Sequence, residues 1–242
     1  VTEALENFET RRAIQHSFFM PMQDVRRYLA CVGDRPHGEV LRQLLENWIK
    51  LLAPFIPHVC EELWEKLGGK GFVSVAPWPT PDPALRDRMA ELAWDYVDGV
   101  IEDILEIKRV LKTEPKRIFI YVAEDLKWQL FRLAVSHFTA GRVDFKHLLE
   151  EAEQVAASIE RAELSKLLQQ ILANLRGMAP EALEVLKEQR LDEYEVLQEV
   201  RDYVARRTGL EVQVFRADDR AKPDPAGKAR LSLPLRPSLY LE

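Results

Sequence analysis

The sequence predicts a mainly α protein that turns α+β: a helical bundle over residues 1–113, then a small α+β domain with a few-stranded sheet over residues 114–242. Three observations lead there. Apolar residues recur at helical spacing through the first half, as in Leu41, Leu44, Leu45, Trp48 and Leu52, and again in Leu92, Tyr96, Val100, Ile104, Ile107 and Leu111. The pattern changes at Glu114-Pro115, after which Ile118-Phe-Ile-Tyr-Val122 is a β-branched and aromatic run of strand length. Leu210 to Phe215 and Leu239 to Leu241 then supply two more strands among helical segments.

Thr2 to Ala30 reads as one long helix or two, with Leu5, Phe8, Ile14, Phe18 and Phe19 as the apolar stripe and Pro21 as a kink or restart. Gly33 to Gly38 is a loop, and Glu39 to Leu52 the next helix. Pro54 disfavours helix at Ala53, and Pro57 suits the first turn of a new helix. Val59, Cys60, Leu63, Trp64 and Leu67 give that helix a buried face, and Gly68-Gly69 ends it. Ser74 to Asp87, with four prolines, is an extended crossing. Arg88 to Lys112 is a helix with acids in its middle and a basic end; from Ile107 to Arg117 five basic residues face one acid, Glu114.

In the second half, helices are expected over Glu124–Phe138, Phe145–Ala152, Val155–Leu175, Glu181–Glu188 and Glu193–Arg206, with Gly209 ending the last. Arg216 to Pro237 is a long irregular stretch with six basic and three acidic residues, within which Leu231 to Leu233 is a possible short strand.

The 242 residues suffice for two modest domains, and the formal net charge of −6 argues against indiscriminate nucleic-acid binding while leaving room for local basic faces. No apolar run approaches the roughly 18 residues of a membrane span, so no membrane partner is expected. Cys31 and Cys60, the two cysteines, lie outside any metal-spaced cluster and are read as reduced thiols of a cytoplasmic protein. The chain begins inside a helical pattern without an initiator Met and is read as a piece of a longer protein.

Ala53-Pro-Phe-Ile-Pro-His58, Glu61-Glu62-Leu63-Trp64 and Val75-Ala-Pro-Trp-Pro79, in this order and spacing, resemble the anticodon-binding helical domain of class I aminoacyl-tRNA synthetases, the aliphatic-amino-acid branch above all. Arg117 to Asp125, Phe215 to Asp219, Asp224 to Arg230 and Leu233 to Glu242 resemble the C-terminal domain of archaeal and eukaryotic-type leucyl-tRNA synthetases. The resemblance implies a non-catalytic fragment that docks tRNA-Leu, through the long variable arm, for a parent that leucylates it with ATP and Mg²⁺. It implies as partners the catalytic and editing domains of that parent, and a monomer. The alternatives are the equivalent region of an isoleucyl or valyl enzyme, or a helical protein-interaction module.

No catalytic constellation, cofactor site or metal site is visible in the sequence, and the five histidines are scattered. The candidate tRNA-binding residues follow from position and charge. Lys112, Lys116 and Arg117 lie at the junction, Arg142 and Lys146 flank a loop before a helix, and Lys228, Arg230 and Arg236 lie in the C-terminal basic stretch. Glu124 and Asp125, at a strand-to-helix corner, are candidates to accept from base amino groups, with helix capping as the ordinary alternative.

Overall fold

The computed structural model describes residues 1–111, 113–141 and 143–242; Lys112 and Arg142 lie outside the described residues. The mainly helical and then α+β class expected from the sequence is what the structure shows. By packing, the chain divides into Val1–Leu85 and Arg86–Glu242. The long helix before the junction thus packs with the sheet-bearing unit.

The first unit holds α1 (Thr2–Glu6), α2 (Thr10–Ile14), a π-helical turn (Gln15–Phe19), α3 (Met20–Val32), α4 (Gly38–Leu52) and α5 (Pro57–Lys66). The expected long N-terminal helix is therefore broken twice. Phe8 sits at φ 57°, a left-handed position between α1 and α2 that glycine ordinarily fills. Pro21 has no N–H to give the carbonyl four residues back, that of Ser17. The helix opens into the π turn just before it, and Trp48 of α4 donates its indole N–H to the Ser17 carbonyl at 2.6 Å. These breaks shift the helical phase. Ala4, Ala13 and Ser17 are the buried positions, whereas Phe8, Phe18 and Phe19 of the expected stripe are exposed.

The Pro54–Pro57 corner joins α4 to α5 as the sequence indicates. Ile49, Cys60 and Val73 form the core there, flanked by Leu52, Ala53, Trp64 and Leu67. Val59 and Leu63, expected inside, are exposed, because α5 turns Cys60 rather than Val59 to the core. A Cβ at Gly69 would overlap the Trp64 indole, so close packing selects that glycine. The Glu61 carboxylate accepts from the amides of Val73 (2.8 Å) and Ser74 (3.1 Å) and fixes the start of the crossing.

The second unit begins with α6 (Arg88–Val110), capped by Asp87, whose carboxylate accepts from Met89 N (2.9 Å) and Ala90 N (3.1 Å). Then follow β1 (Arg117–Val122), α7 (Asp125–Thr139), α8 (Phe145–Val155), α9 (Arg161–Leu175), α10 (Pro180–Glu188), α11 (Glu193–Glu199), α12 (Arg201–Thr208), β2 (Glu211–Arg216) and β3 (Ser238–Leu241). The sheet order is β2-β1-β3, with β1 parallel to β2 and antiparallel to β3. β1 is central and buried on both faces beyond Arg117, which is why it reads as an unbroken apolar run. One face carries Ile118, Ile120, Val122, Val212, Val214 and Leu239; the other carries Phe119, Tyr121, Phe215 and Tyr240.

The expected helix Val155–Leu175 is instead the end of α8, a break, and α9. The expected Glu193–Arg206 helix divides at Val200 into α11 and α12, and Gly209 ends α12 at φ 72°. The possible strand at Leu231–Leu233 is replaced by a 3₁₀ turn over Ala229–Leu231, followed by a tight turn closed between Leu233 and Arg236.

Candidate nucleic-acid interface

Residues 217–237 have little regular structure, yet side chains fix them at many points. Tyr121, fully buried under the segment, donates its hydroxyl to the Pro223 carbonyl at 2.6 Å. Asp224 accepts from the amides of Lys228 (2.8 Å) and Ala229 (3.2 Å), which folds the segment back over its own side chain. Ser232 returns its hydroxyl to the Ala229 carbonyl at 2.9 Å. Lys127 of α7, 8% exposed, reaches up to the carbonyls of Arg230 (2.6 Å) and Ser232 (2.9 Å). Burial lowers its pKa, and the charges of Glu124 and Glu163 oppose that.

The turn after it is held from α11. Leu235 follows Pro234 at φ 60°, a left-handed conformation that disfavours a branched side chain. Its amide donates to Glu193 Oε1 at 3.0 Å, and Trp128 donates its indole N–H to Oε2 at 2.9 Å. Glu193 is 2% exposed, and burial raises its pKa to about 7 against the pull of these donors, of Tyr96 and of Arg190. The Tyr96 hydroxyl lies close enough to favour the ionised carboxylate but short of a well-formed hydrogen bond. Arg190 lies over the Trp128 ring at 5.2 Å and bonds Asp125 at 2.7 Å.

The candidate residues fall into distinct places. Lys116 and Arg117 stand at the start of β1. Glu124 and Asp125 stand beyond the other end of this strand, which is about 16 Å long. Lys116 is exposed and makes no ion pair among the described residues, and its backbone is fixed by Glu242 and Glu211. Arg117 pairs with Glu242 at 2.8 Å, with Glu211 as its cross-strand neighbour, so its charge is partly neutralised. Lys228 is turned to internal use: its ammonium donates to the Leu239 carbonyl at 3.2 Å and lies 5.7 Å from the Tyr240 ring. Arg230 is exposed. Arg236 is exposed too, but its charge opposes the rise that burial causes in Asp103 of α6. Lys146 is 83% exposed and 3.9 Å from Glu150. Glu124 occupies the N-cap of α7 without a side-chain cap bond, so the ordinary capping alternative does not apply to its carboxylate. Asp125 is held by Arg190. Lys112 and Arg142 lie outside the described residues.

Sequence reasoning missed Lys127, Glu193 and Arg190. A lysine and a glutamate inside otherwise apolar helical faces were the available signal, and neither names its partner. The exposed Phe8 was also missed, because its place in the period looked internal.

The first half of the chain matches a known family model. Residues 1–120 match the anticodon-binding domain of tRNA ligase. The match takes in all of the first unit and runs on through α6 into β1. Similarity to curated proteins extends over the remainder. The chain is 37% identical to a leucine–tRNA ligase of Pyrococcus furiosus over 100% of its own length and 24% of that protein's. It is 36% identical to the leucine–tRNA ligase of Methanothrix thermoacetophila, over 100% of the chain and 24% of the relative. For that of Methanosarcina acetivorans the identity is 34%, over 99% of the chain and 24% of the relative. The chain thus spans about a quarter of the length of the curated relatives it matches. No helix among the described residues is long and apolar enough to cross a membrane.

Proposed function

We propose that this chain is the tRNA-holding, non-catalytic portion of a leucine–tRNA ligase. In this reading it docks tRNA-Leu so that the acceptor end reaches a catalytic domain elsewhere in the parent, which uses ATP and Mg²⁺. The observation that carries the reading is similarity to leucine–tRNA ligases along the whole chain, through residues 121–242 as well as through the anticodon-binding family region. The division of labour follows the change of pattern at 113/114, with the helical bundle before it and the tRNA-binding α+β domain after it. The parent acts in the cytoplasm as a monomer.

The pinned segment 217–237 supports docking through the second domain. A loop held by buried partners loses little backbone freedom on binding, so its cations contribute without the cost of ordering the loop itself. Arg230 and Lys116 are the principal phosphate contacts, with Arg236, Lys146, Lys112 and Arg142 as further candidates. Arg117 and Lys228 position strands and loop. Unpaired bases at the tip of the long variable arm supply specificity, and Glu124 is the acceptor available to a base amino group. The exposed apolar side chains of the first unit, among them Phe18, Phe19, Val59 and Phe72, suit packing against the catalytic and editing domains.

The test is binding of tRNA-Leu to the chain across a salt series, with Arg230→Glu and Lys116→Glu. Salt-weakened binding, with a shallower salt slope in each variant, supports the reading. Salt-independent association with a protein partner and no tRNA affinity would favour the interaction-module alternative.

A further inference from the structure

His137 lies in the last turn of α7, and His147 and Glu151 lie one turn apart on α8. The three converge. His137 Nε2 is 3.1 Å from Glu151 Oε2, and His147 Nδ1 is 3.3 Å from Oε1. One ligand atom from each falls within 4.8 Å of the others. The rings lie 5.5 Å apart at 51°, so neither stacks on the other. The backbones beneath are fixed: Ala134, Val135, Leu148 and Ala152 are fully buried, and Asp144 caps α8 through the amides of Lys146 (3.0 Å) and His147 (3.3 Å).

Two imidazole nitrogens facing one carboxylate are the donor set of a borderline-soft divalent ion. With metal–ligand bonds of about 2.0–2.1 Å, neighbouring donors in a tetrahedral site lie about 3.3 Å apart. The two histidine–glutamate separations, 3.1 and 3.3 Å, are close to that edge, each to a different oxygen of the Glu151 carboxylate. The third edge, between the two ring nitrogens, is within 4.8 Å, and His147, 61% exposed, is the side chain that can move to close it. An all-oxygen set would be expected for Mg²⁺ or Ca²⁺, and this is not one.

We propose that His137, His147 and Glu151 form a Zn²⁺-class transition-metal site, with water in the open position, that clips the end of α7 to the first turns of α8. The site lies one residue from Lys146, so metal would fix the ground on which that cation stands.

The test is calorimetric titration of the untagged 242-residue chain with Zn²⁺, and with Co²⁺ followed by visible absorption. The expected result is one ion per chain, the Co²⁺ absorption of a four- or five-coordinate site, and no comparable binding of Mg²⁺. Loss of a ligand in His147→Ala, His137→Ala or Glu151→Gln should weaken binding by at least the roughly 10–100-fold that an outer-shell partner is worth. His147 is exposed, so its variant keeps the fold and decides the matter even where His137→Ala does not. Binding unchanged in His147→Ala and Glu151→Gln, or no saturable binding of Zn²⁺, would overturn the proposal.

Discussion

The ammonium of Lys127 donates to the carbonyl of Arg230 at 2.6 Å from beneath the loop, so a buried cation sets the position of an exposed one. The neighbouring bond to Ser232, at 2.9 Å, doubles the attachment. Replacing Lys127 by Met leaves two carbonyls without that donor, at roughly 1–3 kcal/mol each. The expected loss is about 3 kcal/mol in urea unfolding. Faster amide exchange around 229–233 should accompany it. An unchanged midpoint would show that the loop holds itself.

Lys228 and Arg230 are two residues apart in sequence but differ in use. Arg230→Glu should leave stability within about 0.5 kcal/mol, as for an ordinary surface change, and lower tRNA affinity. Lys228→Glu should lower stability as well, because its ammonium serves the Leu239 carbonyl and the Tyr240 ring. Circular dichroism melts alongside tRNA titrations separate the two. Equal behaviour of the variants would contradict the assignment.

Glu193 gives the second unit a pH dependence of defined sign. Its folded pKa is raised, to about 7, while the unfolded carboxyl titrates near its ordinary value. The stabilisation is therefore complete below the unfolded value and is lost as pH rises through about 7. The full effect is of the order of 3 kcal/mol. Glu193→Gln presents an N–H₂ to one of two donors, Trp128 Nε1 or Leu235 N, and should cost about 1–3 kcal/mol near pH 5. That deficit should shrink by pH 8, measured by urea unfolding at both values. A deficit that grows with pH would mean that the donors keep the carboxylate ionised in the fold.

Gly69→Ala drives a Cβ into the Trp64 indole. The expected cost is about 1–3 kcal/mol, confined to the first unit, as for other overpacked sites. A thermal melt with Trp fluorescence reads it, and an unchanged melt would show that the indole moves aside freely.

The corner at Pro54–Pro57, the strands and the ends of α6 and α12 were legible because proline, glycine and β-branched runs act locally. The N-terminal helix was not: its phase depends on the left-handed Phe8 and on Trp48 reaching Ser17, and no helical period contains that contact. The candidate cations were legible as charges but not as roles. Lys228 and Arg230 look alike in sequence, and only the placement of Leu239 and Lys127 tells them apart. Lys127 and Glu193 have partners more than 40 positions away in each loop contact, beyond any local pattern.

The most direct measurement is titration of the chain with tRNA-Leu and with the same tRNA after its long variable arm is shortened, at two salt concentrations. Affinity is expected to fall with salt and to drop clearly on shortening, with Arg230→Glu abolishing most of the difference between the two tRNAs. Equal affinity for both tRNAs would contradict recognition of the arm by this chain.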